Sequence, residues 1–138
     1  MLSWSRLDEH VLLADAAQAM AMVAAGATRL VDLRGEASPP RLPVGVDRFP
    51  IEDLQPDQDE LILSAARHVR ELASAGLTVG VYCQAGVSRT ATVAIAYLLL
   101  GGRSLEEAAA RVRDVRPEAR PALALWRSLE RITAALGG

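Results

Sequence analysis

The sequence predicts an α/β protein: a single domain with a short mixed or parallel sheet of four to five strands, flanked by helices. Three observations carry that expectation. Short apolar runs bounded by turn residues, such as TRLVDL (28–33) and LTVGVYC (77–83), alternate with longer stretches at helical spacing. The chain has 138 residues, enough for one domain with its own core. No internal repeat, low-complexity tract or linker divides it, so residues 1–138 read as one unit.

Each element has its own signal. HVLLA (10–14) reads as the first strand, and an Ala-rich helix runs from Asp15 to about Ala25 and closes at Gly26. TRLVDL is a buried strand. RGEASPPRLPVG (34–45), with three prolines and two glycines, is a loop. VDRFPI (46–51) alternates as a short strand, with Pro50 marking an edge or an end. Leu61, Ile62, Ala65, Val69 and Leu72 define a helix over roughly 58–75. LTVGVYC has the compact apolar look of a central strand. TATVAIAYLLL (90–100) is apolar on every side, which predicts a helix buried mid-domain. Ser104 and Glu107 form a capping box for a helix whose inner face is Leu105, Ala108, Val112 and Val115. A last helix, about 121–136, buries Leu125, Trp126, Leu129, Ile132 and Leu136 behind Pro121.

Composition narrows the function. Hydrophobic residues make up 51% but aromatics only 4%, so the core is Ala, Leu and Val, with no bulky aromatic binding surface. A net charge of −2 argues against a general binder of nucleic acid or membrane surfaces. The single cysteine excludes an internal disulfide, which points to the reducing cytoplasm. Asp8, Glu9 and Asp15 interrupt the N-terminal apolar stretch, unlike a signal peptide. The longest uncharged apolar stretch falls well short of the ~20 residues that span a bilayer. A soluble, cytoplasmic monomer is expected. One cysteine and two isolated histidines cannot assemble an ordinary zinc site, and no metal or cofactor is expected.

The lone thiol carries the chemistry. A lone cysteine is ordinarily a small buried hydrophobe. Cys83, however, ends the central strand in YCQAGVSRT, and the next helix begins around Ser88–Thr90. The connecting turn can curl its N–H groups around one point, and such a nest at a helix N-terminus binds anions. The same field favours a thiolate, the nucleophilic form of the sulfur. Arg89 adds a planar fork suited to two phosphoryl oxygens, and Gly86 permits close backbone approach.

Cys83-QAGVS-Arg89 followed by Thr90 resembles the C-x5-R signature loop of cysteine-dependent protein phosphatases, and CQAGVSRTAT is especially similar to their dual-specificity branch. FPIED, with Asp53 thirty residues before Cys83, resembles the family's general-acid loop, and VRDVRPEARP resembles its closing segment. The resemblance spans about residues 28–136 and implies a protein-tyrosine-phosphatase-like fold. It implies that Cys83 attacks phosphorus to form a phosphocysteine. Gln84, Ala85, Gly86, Val87, Ser88 and Arg89 would bind the phosphoryl oxygens. Asp53 would protonate the leaving group and then activate water. Thr90 would assist departure of the thiolate. The chain departs from the family in one respect: Tyr82 stands where histidine usually precedes the cysteine. Nothing upstream resembles the aromatic-walled recognition loop of strictly tyrosine-specific relatives, so a shallow pocket is expected.

The implied substrate is a phosphorylated protein or small phosphomonoester: phosphotyrosine, with phosphoserine and phosphothreonine as further targets. Two alternatives stand beside it. One is a phosphatase for a phosphoinositide, another lipid phosphate or an RNA 5′ end; the absence of basic residues in QAGVS disfavours it. The other is a non-catalytic phosphate-binding module, which would keep Arg89 but not need Asp53. Thiol–disulfide exchange lacks a resolving cysteine. His10 and His68 read as ordinary histidines rather than the base of a Cys–His hydrolase. Asp32 and Arg34 read as a structural ion pair. Arg41 and Arg116 are weak candidates for substrate contact, and Ser88 is a candidate helix cap.

Overall fold

The computed structural model describes residues 4–39 and 41–137. Five strands form one sheet: β1 (Trp4–Arg6), β2 (Val11–Asp15), β3 (Arg29–Asp32), β4 (Gly45–Arg48) and β5 (Val79–Cys83). Their order is β1-β2-β5-β3-β4, with β1 antiparallel to β2 and every other pair parallel. The helices are α1 (Ala19–Ala24), α2 (Asp59–Ser74), α3 (Arg89–Leu100), α4 (Leu105–Val115) and α5 (Leu123–Ala135).

Alternation along the strands builds two cores. Val11 and Leu13, Val31 and Leu33, and Val79, Val81 and Cys83 face the large core, with α2 to α5. Leu12, Ala14, Leu30 and Tyr82 face the smaller core under α1. All residues of α3 except Tyr97 and Leu100 are buried, as its uniformly apolar sequence predicts. The Ser104–Glu107 capping box starts α4, with bonds of 3.0 and 3.1 Å. Gly80 in β5 lets α1 approach closely: a Cβ there would stand 2.7 Å from Leu30 Cδ2 and 2.8 Å from Met22 Sδ.

Several sequence expectations need correction. The helix expected from Asp15 does not begin there. Asp15 closes β2 and its carboxylate accepts from Gln18 N at 3.0 Å, capping a short 3-10 turn (Ala16–Gln18) before α1. Ala16 N is held by Gln84 O at 3.3 Å, so the backbone is still tied to the neighbouring strand's loop. β4 stops at Arg48 rather than Ile51. Phe49 N still reaches Asp32 O at 2.9 Å and Ile51 N reaches Leu33 O at 3.1 Å, so the chain leaves the regular ladder after Arg48 but stays tied to the end of β3. β4 is an edge strand, which suits the proline beside it. Leu136 lies just beyond α5 and is 45% exposed, not part of the core. β1 was not expected at all; its three residues are too few to show a period.

The parallel strands bring their C-terminal ends to one edge. Asp15 pairs in register with Cys83, and Asp32 with Tyr82 and Arg48. The crevice beyond that edge is where an open α/β sheet places a ligand.

Candidate active site

Cys83 is the last residue of β5 and is 2% exposed. Five residues then turn the chain into α3, and Arg89 and Thr90 are its first helical residues. Thr90 Oγ1 donates to Cys83 Sγ at 3.0 Å.

The turn is braced from outside by carbonyl bonds. Gln84 O accepts from Ala16 N at 3.3 Å, Val87 O from Arg120 N at 2.9 Å, and Gly86 O from Arg116 Nε at 2.8 Å. A trans peptide is planar, so each carbonyl drawn outward turns the following N–H the opposite way. The N–H groups of Ala85, Val87 and Ser88 are thereby directed away from the brace. Among the described residues none of them has a protein acceptor. Gly86 is required at its position: its φ is +68°, and a Cβ would lie 2.7 Å from Arg116 Nη2 and 2.8 Å from the Ala14 carbonyl.

This bracing corrects two expectations. Arg116 is 2% exposed and holds Gly86 O and Ser5 Oγ (3.1 Å), so it supports the turn from behind rather than meeting a substrate. Ser88 makes no side-chain cap to α3; its Oγ accepts instead from Ala122 N at 2.8 Å, tying the turn to the start of α5.

Arg89 is buried, and its guanidinium is held on two sides. Nη1 and Nη2 each donate to one oxygen of Glu36 at 2.8 Å, and Nη1 also reaches Ile51 O at 3.2 Å. The Glu36 bonds chiefly raise the Arg89 pKa, against desolvation, with the charges of Cys83, Glu36 and Asp53 adding to the rise. In return Arg89 pulls the Glu36 carboxyl down to about 2. A guanidinium has five N–H donors, and these contacts use three. The remaining two are Nε–H and the second Nη2–H, which lie on one edge and form a fork for two oxyanion oxygens.

Asp53 shares a cleft of about 720 Å³ with Arg89; Glu36, Pro50, Ile51 and Leu54 also line it. None of the lining residues is aromatic. Asp53 Oδ1 is buried with no hydrogen-bond partner.

Behind the turn, alternation puts Tyr82 on the opposite sheet face from the thiol. Its hydroxyl donates to Asp32 Oδ2 at 3.1 Å. Burial, then the Asp32 charge, raises its pKa, so the hydroxyl stays protonated at neutral pH. Asp32 is paired bidentately with Arg34 (3.0 and 3.1 Å), as expected of a structural ion pair. Arg34 Nη1 continues to Gln84 Oε1 at 3.1 Å and so reaches into the turn itself.

The histidines lie elsewhere. His68 pairs with Asp47 at 2.7 Å, and His10 sits at the N-terminal end of β2, opposite the thiol's edge. Arg41 is exposed in the proline loop. Sequence reasoning missed Glu36. The available signal was an acid in the loop after a parallel strand, at the edge where the site forms.

Fold and site together define a cysteine-based phosphatase. Residues 46–134 match the family model described as dual specificity phosphatase, catalytic domain. The chain is 34% identical over 117 residues to mouse dual specificity phosphatase 28, covering 80% of this chain and 69% of that protein. The crystal structure of human DUSP28 superposes with a TM-score of 0.87 at 28% identity, covering 100% of this chain and 97% of the other. A tyrosine-to-histidine variant of that human protein superposes at 0.90, with 28% identity, 99% of this chain and 98% of the other. The chain belongs to the dual specificity phosphatase family.

Proposed function

We propose that this chain hydrolyses phosphotyrosine, and phosphoserine and phosphothreonine as well, using Cys83 as nucleophile and Asp53 as general acid. The observation that supports the assignment is that Asp53 lines one cleft with Arg89, which keeps two guanidinium donors without a protein partner among the described residues.

The Cys83 thiolate attacks phosphorus, forming an S–P bond as the ester P–O bond breaks. Arg89 and the N–H groups of Ala85, Gly86, Val87 and Ser88 hold the non-bridging oxygens as charge spreads over them. Asp53 delivers its proton to the leaving oxygen, then takes one from the water that cleaves the phosphocysteine. Sulfur leaves as thiolate, stabilised by the Thr90 hydroxyl 3.0 Å away. Gln84 contributes by position, through its bond to Arg34. A cleft lined without aromatics suits phosphorylated residues of different length. The continuous sheet with its two cores supports a single catalytic unit over 1–138, and the lone thiol suits a reducing, cytoplasmic setting.

The test is hydrolysis of phenyl phosphate by wild type, Cys83→Ser and Asp53→Ala, with reductant and no added metal. Turnover disappears in Cys83→Ser and falls by about 10²-fold or more in Asp53→Ala. Full activity in Cys83→Ser overturns the assignment. Wild type that binds vanadate without turnover would make the site a phosphate-binding module.

A further inference from the structure

The loop carrying Asp53 is pinned by one side chain that no catalytic role has claimed. Gln58 immediately precedes α2 but makes no side-chain cap to that helix. Its amide turns back instead. Oε1 accepts from Glu52 N at 2.8 Å, while Nε2 donates to Glu52 O at 2.6 Å and to Gln55 O at 2.8 Å. Both backbone groups of the residue before Asp53, and the carbonyl two residues after it, are thus bound to one primary amide. Asp57, with φ +62°, provides the bend that aims Gln58 at the loop; aspartate tolerates that conformation better than most residues.

The other side is fixed independently. Ile51 N donates to Leu33 O at 3.1 Å, and Ile51 O accepts from Arg89 Nη1 at 3.2 Å. Asp53 therefore sits between a clamp on Arg89 and a clamp on Gln58. The first ties the loop to Arg89, and the second ties residues 52 and 55, on either side of Asp53, to the start of α2. Gln58 lies directly before α2, where Ile62 N reaches Gln58 O at 3.0 Å, and Asp59, the first residue of α2, is held by Arg131 of α5 at 2.8 and 2.9 Å. The clamp thus rests on two packed helices rather than on the loop.

We infer that Gln58 is a positioning residue for the general acid: its amide holds residues 52–55 so that Asp53 faces the leaving oxygen. The inference rests on the assignment of Asp53 as the acid. Its three bonds are solvent-exposed, and such bonds add little net stability. Their loss therefore affects geometry more than folding, and a misplaced catalytic group is costly.

General-acid assistance matters in proportion to how poor the leaving group is, which separates this role from a structural one. The experiment measures kcat/KM for phenyl phosphate, whose phenoxide needs a proton, and for 2,4-dinitrophenyl phosphate, whose leaving group does not. Wild type, Gln58→Ala, Gln58→Met (similar length, no amide), Asp53→Ala and the Asp53→Ala/Gln58→Ala double variant are compared. The expected result is a loss of about tenfold on phenyl phosphate in both Gln58 variants, with the dinitrophenyl ester within about twofold of wild type and no further loss in the double variant. An equal loss on both esters, or an additive loss in the double variant, overturns the role. So does an unchanged phenyl phosphate rate while Asp53→Ala alone shows the selective loss. If Asp53→Ala shows no selectivity either, the acid assignment itself fails.

Discussion

At the scale of single residues, the site depends on how a few donors are divided. Glu36 takes the outer end of the Arg89 guanidinium, leaving its Nε–Nη2 edge without a protein partner among the described residues. Glu36→Ala is therefore expected to loosen the arginine and raise the dissociation constant for vanadate by about tenfold, the effect of losing roughly one charge-assisted hydrogen bond. The Glu36 side chain is 51% exposed, so the pair adds little to overall stability. Because its carboxyl is lowered to about 2, the contact is complete above the usual carboxylate range and is lost only as pH falls towards 2. Between pH ~4 and ~9 it does not titrate. Glu36→Gln should accordingly change the height of the kcat/KM profile and leave its limbs in place; a displaced acid limb would contradict this.

Tyr82 is also understood at this scale. Replacing the usual histidine does not place a hydroxyl beside the thiol, because Tyr82 and Cys83 face opposite sides of the sheet. The phenol instead joins a buried Asp32–Arg34 pair whose far end holds Gln84. The sequence showed the substitution and the ion pair, but not that the two are one chain of bonds ending in the turn. That link requires β3 and β5 to be neighbours in register, which is a tertiary fact.

At the scale of elements, the turn between β5 and α3 is shaped by what lies behind it. The segment after α4 supplies Arg116, Arg120 and Ala122 to three successive residues of the turn, Gly86 to Ser88. Gly86→Ala forces a Cβ against both Arg116 and the Ala14 carbonyl at a positive φ. It should lower kcat/KM by about 10²-fold, since a displacement near 1 Å suffices for that loss. Secondary structure by circular dichroism should be unchanged. Activity within twofold of wild type would show that the turn tolerates another path. The turn itself was legible in the sequence, since C-x5-R between an apolar strand and an apolar helix is a local pattern. Its bracing was not: Arg116 read as a candidate for substrate because spacing alone cannot reveal that a side chain is buried.

At the scale of the molecule, long elements were readable and short ones were not. α2, α3, α4 and α5 each carry enough turns for their apolar faces to show, and β5 is an apolar run next to the motif. β1 has three residues and exists through its pairing with β2, while α1 begins late because Asp15 and Ala16 are committed to the sheet edge. Glu36 and Gln58 were missed for the same reason. Each acts across a loop whose path is set by the whole fold, Glu36 on a residue 53 positions away. The fold's contribution to function is the common edge where the parallel strands end. It brings Glu36, Asp53 and Arg89 to one cleft from three separate parts of the chain, with Cys83 ending β5 just before the turn that leads to Arg89.

The central claim is that phosphoryl transfer passes through Cys83. The most direct test is rapid quenching of the enzyme during turnover of an aryl phosphate, followed by mass spectrometry of the intact chain and its peptides. One phosphoryl group per chain is expected, on the peptide containing Cys83, present in Asp53→Ala and absent in Cys83→Ser. Turnover with the phosphoryl group on any other residue, or persisting in Cys83→Ser, would contradict it.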